Sequence, residues 1–240
     1  MDMAPAKKII KLDKHKMPKH VAVSIAGNRR WARKNDKLLR VAFDKSLSKI
    51  DELIDYQTRF DIPIMTVYIL SSNAKQSSNF IIYMDALESF FAKLKENKKL
   101  AEKKIKVSII GKWYALPTRV VDKIKETINE TKDYDQHFLN LCINYDGREE
   151  LIDAMKMIAR TIKMDKIDEE AINEELIKEN LYTSYFTPPD LMILTADRKT
   201  KGFLMWDSTN TIMCFSDKLF PDFDKTDFYK ALAYYQKMQQ

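Results

Sequence analysis

The chain has 240 residues, of which 45% are hydrophobic and 32% charged, and its formal net charge is +6 at pH 7. This length allows one large α/β domain or two small ones, and the composition is typical of a globular protein. No apolar run approaches the ~18 residues that span a membrane. The lysine-rich beginning has no apolar core, so the sequence predicts neither a membrane-spanning segment nor a secretory signal.

The positive charge is concentrated at the front of the chain. Residues 1–40 hold twelve Lys and Arg residues against three Asp residues, whereas the remainder is slightly acidic. We predict a basic tail over residues 1–17, followed by one domain over 18–240. A basic front end favours an anionic partner, such as a diphosphate or a lipid surface. No nucleic-acid motif accompanies the charge, so we expect no nucleic-acid partner.

Strands and helices alternate along the sequence. Short apolar runs rich in β-branched residues predict six strands, over 21–25, 64–70, 105–110, 138–143, 191–194 and 211–215. Apolar residues at three- and four-residue spacing predict helices over 43–54, 84–94, 117–128, 151–162, 169–181 and 225–238. Such alternation favours a mostly parallel sheet that is covered on both faces.

Small and basic residues follow the first predicted strand. Ala26, Gly27 and Asn28 come directly after it, and Arg29 and Arg30 open a helical segment. Ligands of parallel α/β sheets bind outside the carboxyl ends of the strands, and guanidinium groups hold phosphates through charge-assisted hydrogen bonds. The stretch therefore predicts a phosphate or diphosphate site. The alternative is that both arginines are only solvated and that Gly27 serves the backbone.

Residues 18–32, with the sequence PKHVAVSIAGNRRWA, closely resemble the first signature of the cis-prenyltransferases, the family of undecaprenyl and dehydrodolichyl diphosphate synthases. Four more segments are similar to family motifs in the same order, namely 66–73, 139–148, 188–195 and 202–206 with 215–223. The resemblance implies a single α/β domain whose six-stranded, mainly parallel sheet is flanked by helices. It also implies a hydrophobic tunnel for a prenyl chain and usually a dimer.

The resemblance also implies losses in the catalytic machinery. Ala26 stands where the family has the aspartate that holds magnesium, and Ile212 stands where it has a glutamate. Leu194 replaces the family arginine that grips isopentenyl diphosphate. Mg²⁺ needs oxygen ligands, which methyl and alkyl groups do not supply. We therefore predict no catalytic carboxylate at Ala26, no metal site and no cofactor.

Substrate-binding positions of the family are partly retained. Transferred motif by motif, they are Gly27, Asn28, Arg29, Arg30, Trp31, Arg40, Ser71 and Arg198. Lys199 and Lys201, which lie beside Arg198 in a shortened stretch, are further sources of positive charge.

Taken together, these features predict a degenerate, non-catalytic family member that retains prenyl-diphosphate binding. It would act as a subunit paired with a catalytic cis-prenyltransferase or as a regulator of polyprenyl diphosphate synthesis. The alternative is an active transferase or diphosphate lyase that uses isopentenyl and allylic diphosphates, with Asp197 holding magnesium at an altered metal site. We expect a homodimer or a heterodimer in the cytoplasm, with peripheral contact to the cytosolic membrane face as an option.

Overall fold

The computed structural model describes residues 12–164 and 166–239. Its centre is a six-stranded sheet of β1 (His20–Ser24), β2 (Ile64–Ser71), β3 (Ile105–Ile110), β4 (His137–Tyr145), β5 (Leu191–Thr195) and β6 (Ile212–Ser216). The strand order is β3-β4-β2-β1-β5-β6, and every pairing is parallel. The sequence prediction of a single α/β domain built on a parallel sheet is confirmed.

The helices connect the strands and cover the sheet. They are α1 (Asn28–Lys34), α2 (Leu39–Arg59), α3 (Phe80–Lys95), α4 (Lys98–Glu102), α5 (Thr118–Thr131), α6 (Gly147–Lys163), α7 (Glu174–Glu179) and α8 (Lys225–Met238). Parallel strands need crossover connections of this kind, since a tight hairpin joins only antiparallel neighbours.

The central strands of the sheet are buried on both faces, as their continuous apolar sequences predict, whereas β6 at the edge is partly exposed. Val21 and Val23 of β1 face a large core shared with Leu47 of α2 and Leu87 of α3. The alternate residue Ala22 faces a second, smaller core formed with the segment around Phe203. Because successive strand residues point to opposite faces, five residues of β1 anchor both layers and fix the position of the turn that follows.

One predicted helix is wrong in extent. Residues 169–181 form a 3-10 turn at Glu169–Ala171 and then the short helix α7. Ile172 between them is extended, with φ −70° and ψ 111°. Asn173 caps α7 by accepting a hydrogen bond from the Leu176 N–H at 2.8 Å. A side chain that caps a new helix competes with continuation of the old one, and the periodicity of apolar residues does not record this competition.

Part of the predicted basic tail lies against the domain. Gln236 of α8 accepts a hydrogen bond from the Asp13 backbone N–H at 3.0 Å and donates one to the Asp13 carbonyl at 2.6 Å. Leu12 and Met17 pack against the large core. Residues 1–11 lie outside the described part, so the remainder of that prediction is not addressed. Among the described residues, no helix is both long enough and apolar enough to cross a bilayer.

Candidate functional site

The turn after β1 is built around a glycine. Gly27 has φ +99°, a left-handed conformation that glycine adopts without strain. A Cβ on Gly27 would lie 2.9 Å from Cβ of Ala196 and 2.9 Å from Cδ2 of Leu219. The turns that follow β1 and β5 are therefore in close contact, which brings the residues after both strands to one place at the carboxyl edge of the sheet.

Two cavities meet at this edge. The first, here called the arginine pocket, has a volume of about 690 Å³ and is lined by Arg29, Arg30, Tyr83 and Asp197 among others. The second, here called the lysine pocket, has a volume of about 760 Å³ and is lined by Asp146, Arg148, Lys199 and Gly202 among others. The residues that line both are Ala26, Ile69, Ser71, Asn73 and Lys201. The site is thus a double pocket with Ala26 at the junction.

Arg29 is held by α3 and the segment before it. Its Nε donates to the Tyr83 hydroxyl at 3.3 Å, and its Nη2 donates to Oγ of Ser77 at 3.0 Å. Both partners are neutral, so the guanidinium charge is oriented without being neutralised by a carboxylate. Such a group is available to an anion in the arginine pocket.

Arg30 and Lys201 share one carboxylate. Nη2 of Arg30 lies 2.6 Å from Oδ1 of Asp197, and Nζ of Lys201 binds Oδ2 of the same side chain. Partial burial acts to raise the pKa of Asp197, but the two cations outweigh this and hold the pKa below its usual value. Asp197 therefore stays ionised at neutral pH, and each of its oxygens has a cationic partner.

Asn28 and Trp31 hold the beginning of α1 in place. Oδ1 of Asn28 accepts from Oγ of Ser46 at 2.5 Å, and its Nδ2 donates to the Ile25 carbonyl at 3.1 Å. The Trp31 indole N–H donates to Asp222 at 2.7 Å, and its ring is buried. Asn28 lines the arginine pocket, whereas Trp31 lines neither pocket. The structure thus gives Trp31 a supporting place behind the predicted site.

Two of the predicted substrate-binding residues lie apart from the others. Arg40 binds Asp44 at 2.7 Å and Ser89 at 3.3 Å, in a separate cleft of about 720 Å³ between α2 and α3. The Arg198 side chain is 75% exposed, lies 3.4 Å from Asp217 and lines neither pocket. The structure brings together Gly27, Asn28, Arg29, Arg30 and Ser71, and substrate binding by all eight residues stays a prediction.

The predicted list of substrate-binding residues left out Lys201, Asn73 and Arg148, although the sequence had offered Lys201 as a further source of positive charge. Lys201 has φ +54°, and this left-handed backbone turns the chain so that Lys201 rather than Arg198 lines the junction. A run of basic residues in a loop does not reveal which side chain points inward, because loops lack a regular period. Arg148 follows Asp146, whose side chain caps α6 by accepting from the Arg148 N–H at 2.9 Å. That Asp-Gly-Arg pattern was the available signal.

The side chains around Ala26 do not suit a magnesium site. Mg²⁺ binds through one or two carboxylates together with substrate phosphates. Ala26 supplies a methyl group, both oxygens of Asp197 are paired with cations, and Asp146 is engaged in capping α6. Throughout residues 12–164 and 166–239, no group of three or more His, Cys, Asp or Glu residues is arranged to hold a metal. Metal binding by Asp197 stays a prediction.

The fold and the double pocket define an α/β protein with a cationic site at the carboxyl edge of a parallel sheet, and comparisons with known proteins identify the family. Residues 25–240 match the family model described as "Putative undecaprenyl diphosphate synthase". The chain belongs to the cis-prenyltransferase family.

Its relatives include archaeal proteins named tritrans,polycis-undecaprenyl-diphosphate synthase (geranylgeranyl-diphosphate specific). The one from Pyrococcus horikoshii is 34% identical over 227 residues, which cover 93% of this chain and 86% of the relative. The one from Thermoplasma volcanium is 34% identical over 230 residues, 95% of this chain and 89% of the relative.

A crystal structure of lavandulyl diphosphate synthase from Lavandula x intermedia, in complex with dimethylallyl diphosphate, is also similar. Its TM-score is 0.87 at 26% sequence identity, and the match covers 92% of this chain and 95% of that one.

These relatives correct the prediction of a non-catalytic family member. Proteins about one-third identical over nearly the whole chain carry the names of synthases, so a catalytic role fits the chain better than a purely supporting one. The physical reason for the wrong prediction is that most of the site remains when the carboxylate is replaced by Ala26. The missing carboxylate removes one metal ligand, but both pockets and their arginine and lysine side chains remain. The prediction gave too much weight to the replaced motif residues Ala26, Ile212 and Leu194.

Proposed function

We propose that this protein is an active cis-prenyltransferase, which transfers the prenyl group of an allylic diphosphate to isopentenyl diphosphate. Geranylgeranyl diphosphate is the proposed allylic substrate, because the archaeal relatives are named as specific for it. This choice corresponds to the active-enzyme alternative of the sequence analysis.

The observation that carries the proposal is the pair of pockets joined at Ala26. A condensation of two diphosphates needs two anion-binding cavities whose contents reach each other. The arginine pocket and the lysine pocket share five lining residues, and each adds cationic side chains of its own. A protein that binds one diphosphate has no need of two adjoining cationic cavities.

The chemistry divides between the two pockets. In the arginine pocket, the allylic C–O bond breaks and its electron pair leaves with the diphosphate, whose growing charge Arg29 and Arg30 stabilise. The double bond of the isopentenyl unit, held from the lysine pocket through Arg148 and Lys199, attacks the allylic carbon. A new C–C bond forms and leaves a tertiary cation on the isopentenyl unit, which loses a proton from the adjacent carbon to water or to the released diphosphate, so that a double bond forms in the product.

The test is incorporation of labelled isopentenyl diphosphate into products extractable with organic solvent. The purified chain is incubated alone with geranylgeranyl diphosphate and Mg²⁺, and turnover is the expected result. Arg30→Gln should lower kcat/KM by roughly tenfold or more, since charge-assisted hydrogen bonds are worth about 1.5–3 kcal/mol. Arg33→Gln, at an exposed position of the same helix, is the matched control. A panel of allylic diphosphates that gives no product at all would refute the proposal.

We also propose a homodimer formed through the β6 edge of the sheet. Phe215 of β6 is 44% exposed although it pairs with buried Leu194. Exposed apolar residues at a sheet edge favour pairing with another surface. Light scattering should give a dimer that Phe215→Glu weakens. Recovery of monomer from the parent protein at micromolar concentration would contradict the proposal. The separate expectation of peripheral contact with a membrane is tested by flotation with lipid vesicles.

A further inference from the structure

We propose that this protein binds the diphosphate group of its substrate without a divalent metal, and that Asp197 is the internal anion whose place the diphosphate takes. The inference rests on the proposed function, because it takes a prenyl diphosphate as the ligand. It concerns how the charge of that ligand is balanced, which the identity of the family leaves open for a chain with Ala26.

The first argument is the sign of charge at the junction. Ala26 makes the junction of the pockets neutral where a carboxylate would make it negative, and a metal is needed chiefly where anionic side chains and phosphates share a site. Here the side chains that reach the two cavities include Arg29, Arg30, Arg148 and Lys201. Cationic side chains alone balance a diphosphate when they surround it, as guanidinium groups do in other phosphate sites.

The second argument is the arrangement of Asp197. Its two oxygens bind two different cations, Arg30 through Oδ1 at 2.6 Å and Lys201 through Oδ2. A diphosphate also presents several oxygens that can bind two cations at once, and it carries more negative charge than the Asp197 carboxylate. The Asp197 side chain is 29% exposed and that of Arg30 is 52% exposed, so the ion pairs open at little expense to the fold. Asp197 thus occupies the cations until a stronger anion arrives.

The third argument is the position of Lys201. It lines both cavities, whereas Lys199 lines only the lysine pocket. Once released from Asp197, its ammonium group is free to contact a diphosphate in either pocket. Lys201 is therefore a binding residue for the two substrates together, and its positive φ of +54° fixes the turn that aims it.

The test is isothermal titration with two probes, inorganic diphosphate and the unreactive analogue geranylgeranyl S-thiolodiphosphate, in EDTA and in Mg²⁺. We expect both probes to bind in EDTA, with affinities within about threefold of those in Mg²⁺. Binding that needs Mg²⁺ would overturn the proposal. This experiment measures binding and is independent of turnover. If the protein is active but binds the probes only with Mg²⁺, the proposed function stands and the metal-free inference is wrong.

Variants of the two key residues separate the counter-ion role from a metal-ligand role. Asp197→Asn should tighten diphosphate binding in EDTA by about fivefold, since an exposed ion pair of up to 1 kcal/mol no longer competes. If Asp197 held a metal, the same change would instead weaken binding in Mg²⁺. Lys201→Gln should weaken binding in EDTA by roughly tenfold, and Lys230→Gln, exposed on α8, is the matched control. Unchanged affinity in both site variants would contradict the proposal.

Discussion

The rings of Phe43 and Tyr83 meet edge to face, with their centroids 5.0 Å apart and their planes at 70°. Phe43 comes from α2 and Tyr83 from α3, and both line the arginine pocket. The two rings are nearly fully buried. They form part of the wall between the arginine pocket and the large core, and under the proposed function the tail of a prenyl chain would meet this wall.

This contact predicts that ring size controls product length. Phe43→Ala removes the α2 half of the barrier, so the products should become longer by at least one isoprene unit. The change also destabilises the fold by about 3–5 kcal/mol, as is usual for a buried phenylalanine. Chromatography of the labelled products gives the readout. Tyr83→Phe keeps the ring and should leave the length distribution as it is, and an unaltered distribution in Phe43→Ala would contradict the barrier.

Installing a carboxylate at the junction should create a dependence on metal. Ala26→Asp places a negative charge between the two pockets, where it repels a diphosphate through space. In EDTA, the affinity for inorganic diphosphate should fall by roughly tenfold, and Mg²⁺ should restore it. Ala26→Asn is the control for size, because asparagine has nearly the same volume as aspartate but carries no charge. Equal affinities for the Asp and Asn variants in EDTA would speak against the cationic junction.

The close approach at Gly27 predicts a position-specific effect of an added methyl group. Gly27→Ala combines a left-handed backbone with two contacts of 2.9 Å, so it should lower the free energy of unfolding by more than the ~1 kcal/mol of backbone strain alone. Gly202 has φ +78°, and a Cβ added to it would lie 3.5 Å from the backbone nitrogen of Gly147. Gly202→Ala therefore measures strain without the clash. Urea denaturation of the two variants compares them directly, and equal destabilisation would refute the packing argument.

Buried His20 predicts a loss of stability in acid. Its Nδ1–H donates to the Thr187 carbonyl at 2.7 Å, while its Nε2 accepts from the Thr66 hydroxyl at 2.7 Å. Burial lowers the pKa of His20 to about 4, against 6.5 for the unhindered side chain. Between these two pKa values, His20 is therefore protonated in the unfolded chain and neutral in the folded protein.

Because the pKa of His20 is lower in the folded protein, the free energy of unfolding decreases as the pH falls. The contribution of His20 is fully present above pH ~6.5 and is lost as the pH falls from there to about 4, by ~3 kcal/mol in total. Urea midpoints measured across this range should show the decline. His20→Gln should flatten it, and His15→Gln, whose ring is exposed, serves as the control. A pH profile that His20→Gln leaves unaltered would contradict the assignment.

The sheet was predictable because its strands are continuous apolar runs. All six predicted strands overlap the observed ones, and the predicted helix 225–238 coincides with α8. The region 169–181 was not predictable in the same way, since a single capping residue, Asn173, divides it. Apolar periodicity reports burial, and it is silent about local competition among hydrogen bonds.

The site was predictable only where a strand led directly into it. Arg29 and Arg30 follow β1 and line the arginine pocket, and their binding of substrate stays a prediction. Arg40 and Arg198 do not line either pocket, because the direction of a side chain on α2 or in a loop depends on packing that the sequence does not display. The functional weight of Ala26 was misjudged for a related reason. A missing side chain is visible in a sequence, whereas the cations that remain around its position become visible only after folding.

The strand order has a consequence for the way the molecule is made. β1 pairs with β2 about forty residues later, but also with β5, which begins at Leu191. Contacts between such distant segments form slowly, and synthesis proceeds from the amino terminus. The first four strands can therefore associate while the ribosome is still producing the rest. Asp197 and Lys201 follow β5, so a nascent chain has a partial sheet and a core before it has a double pocket.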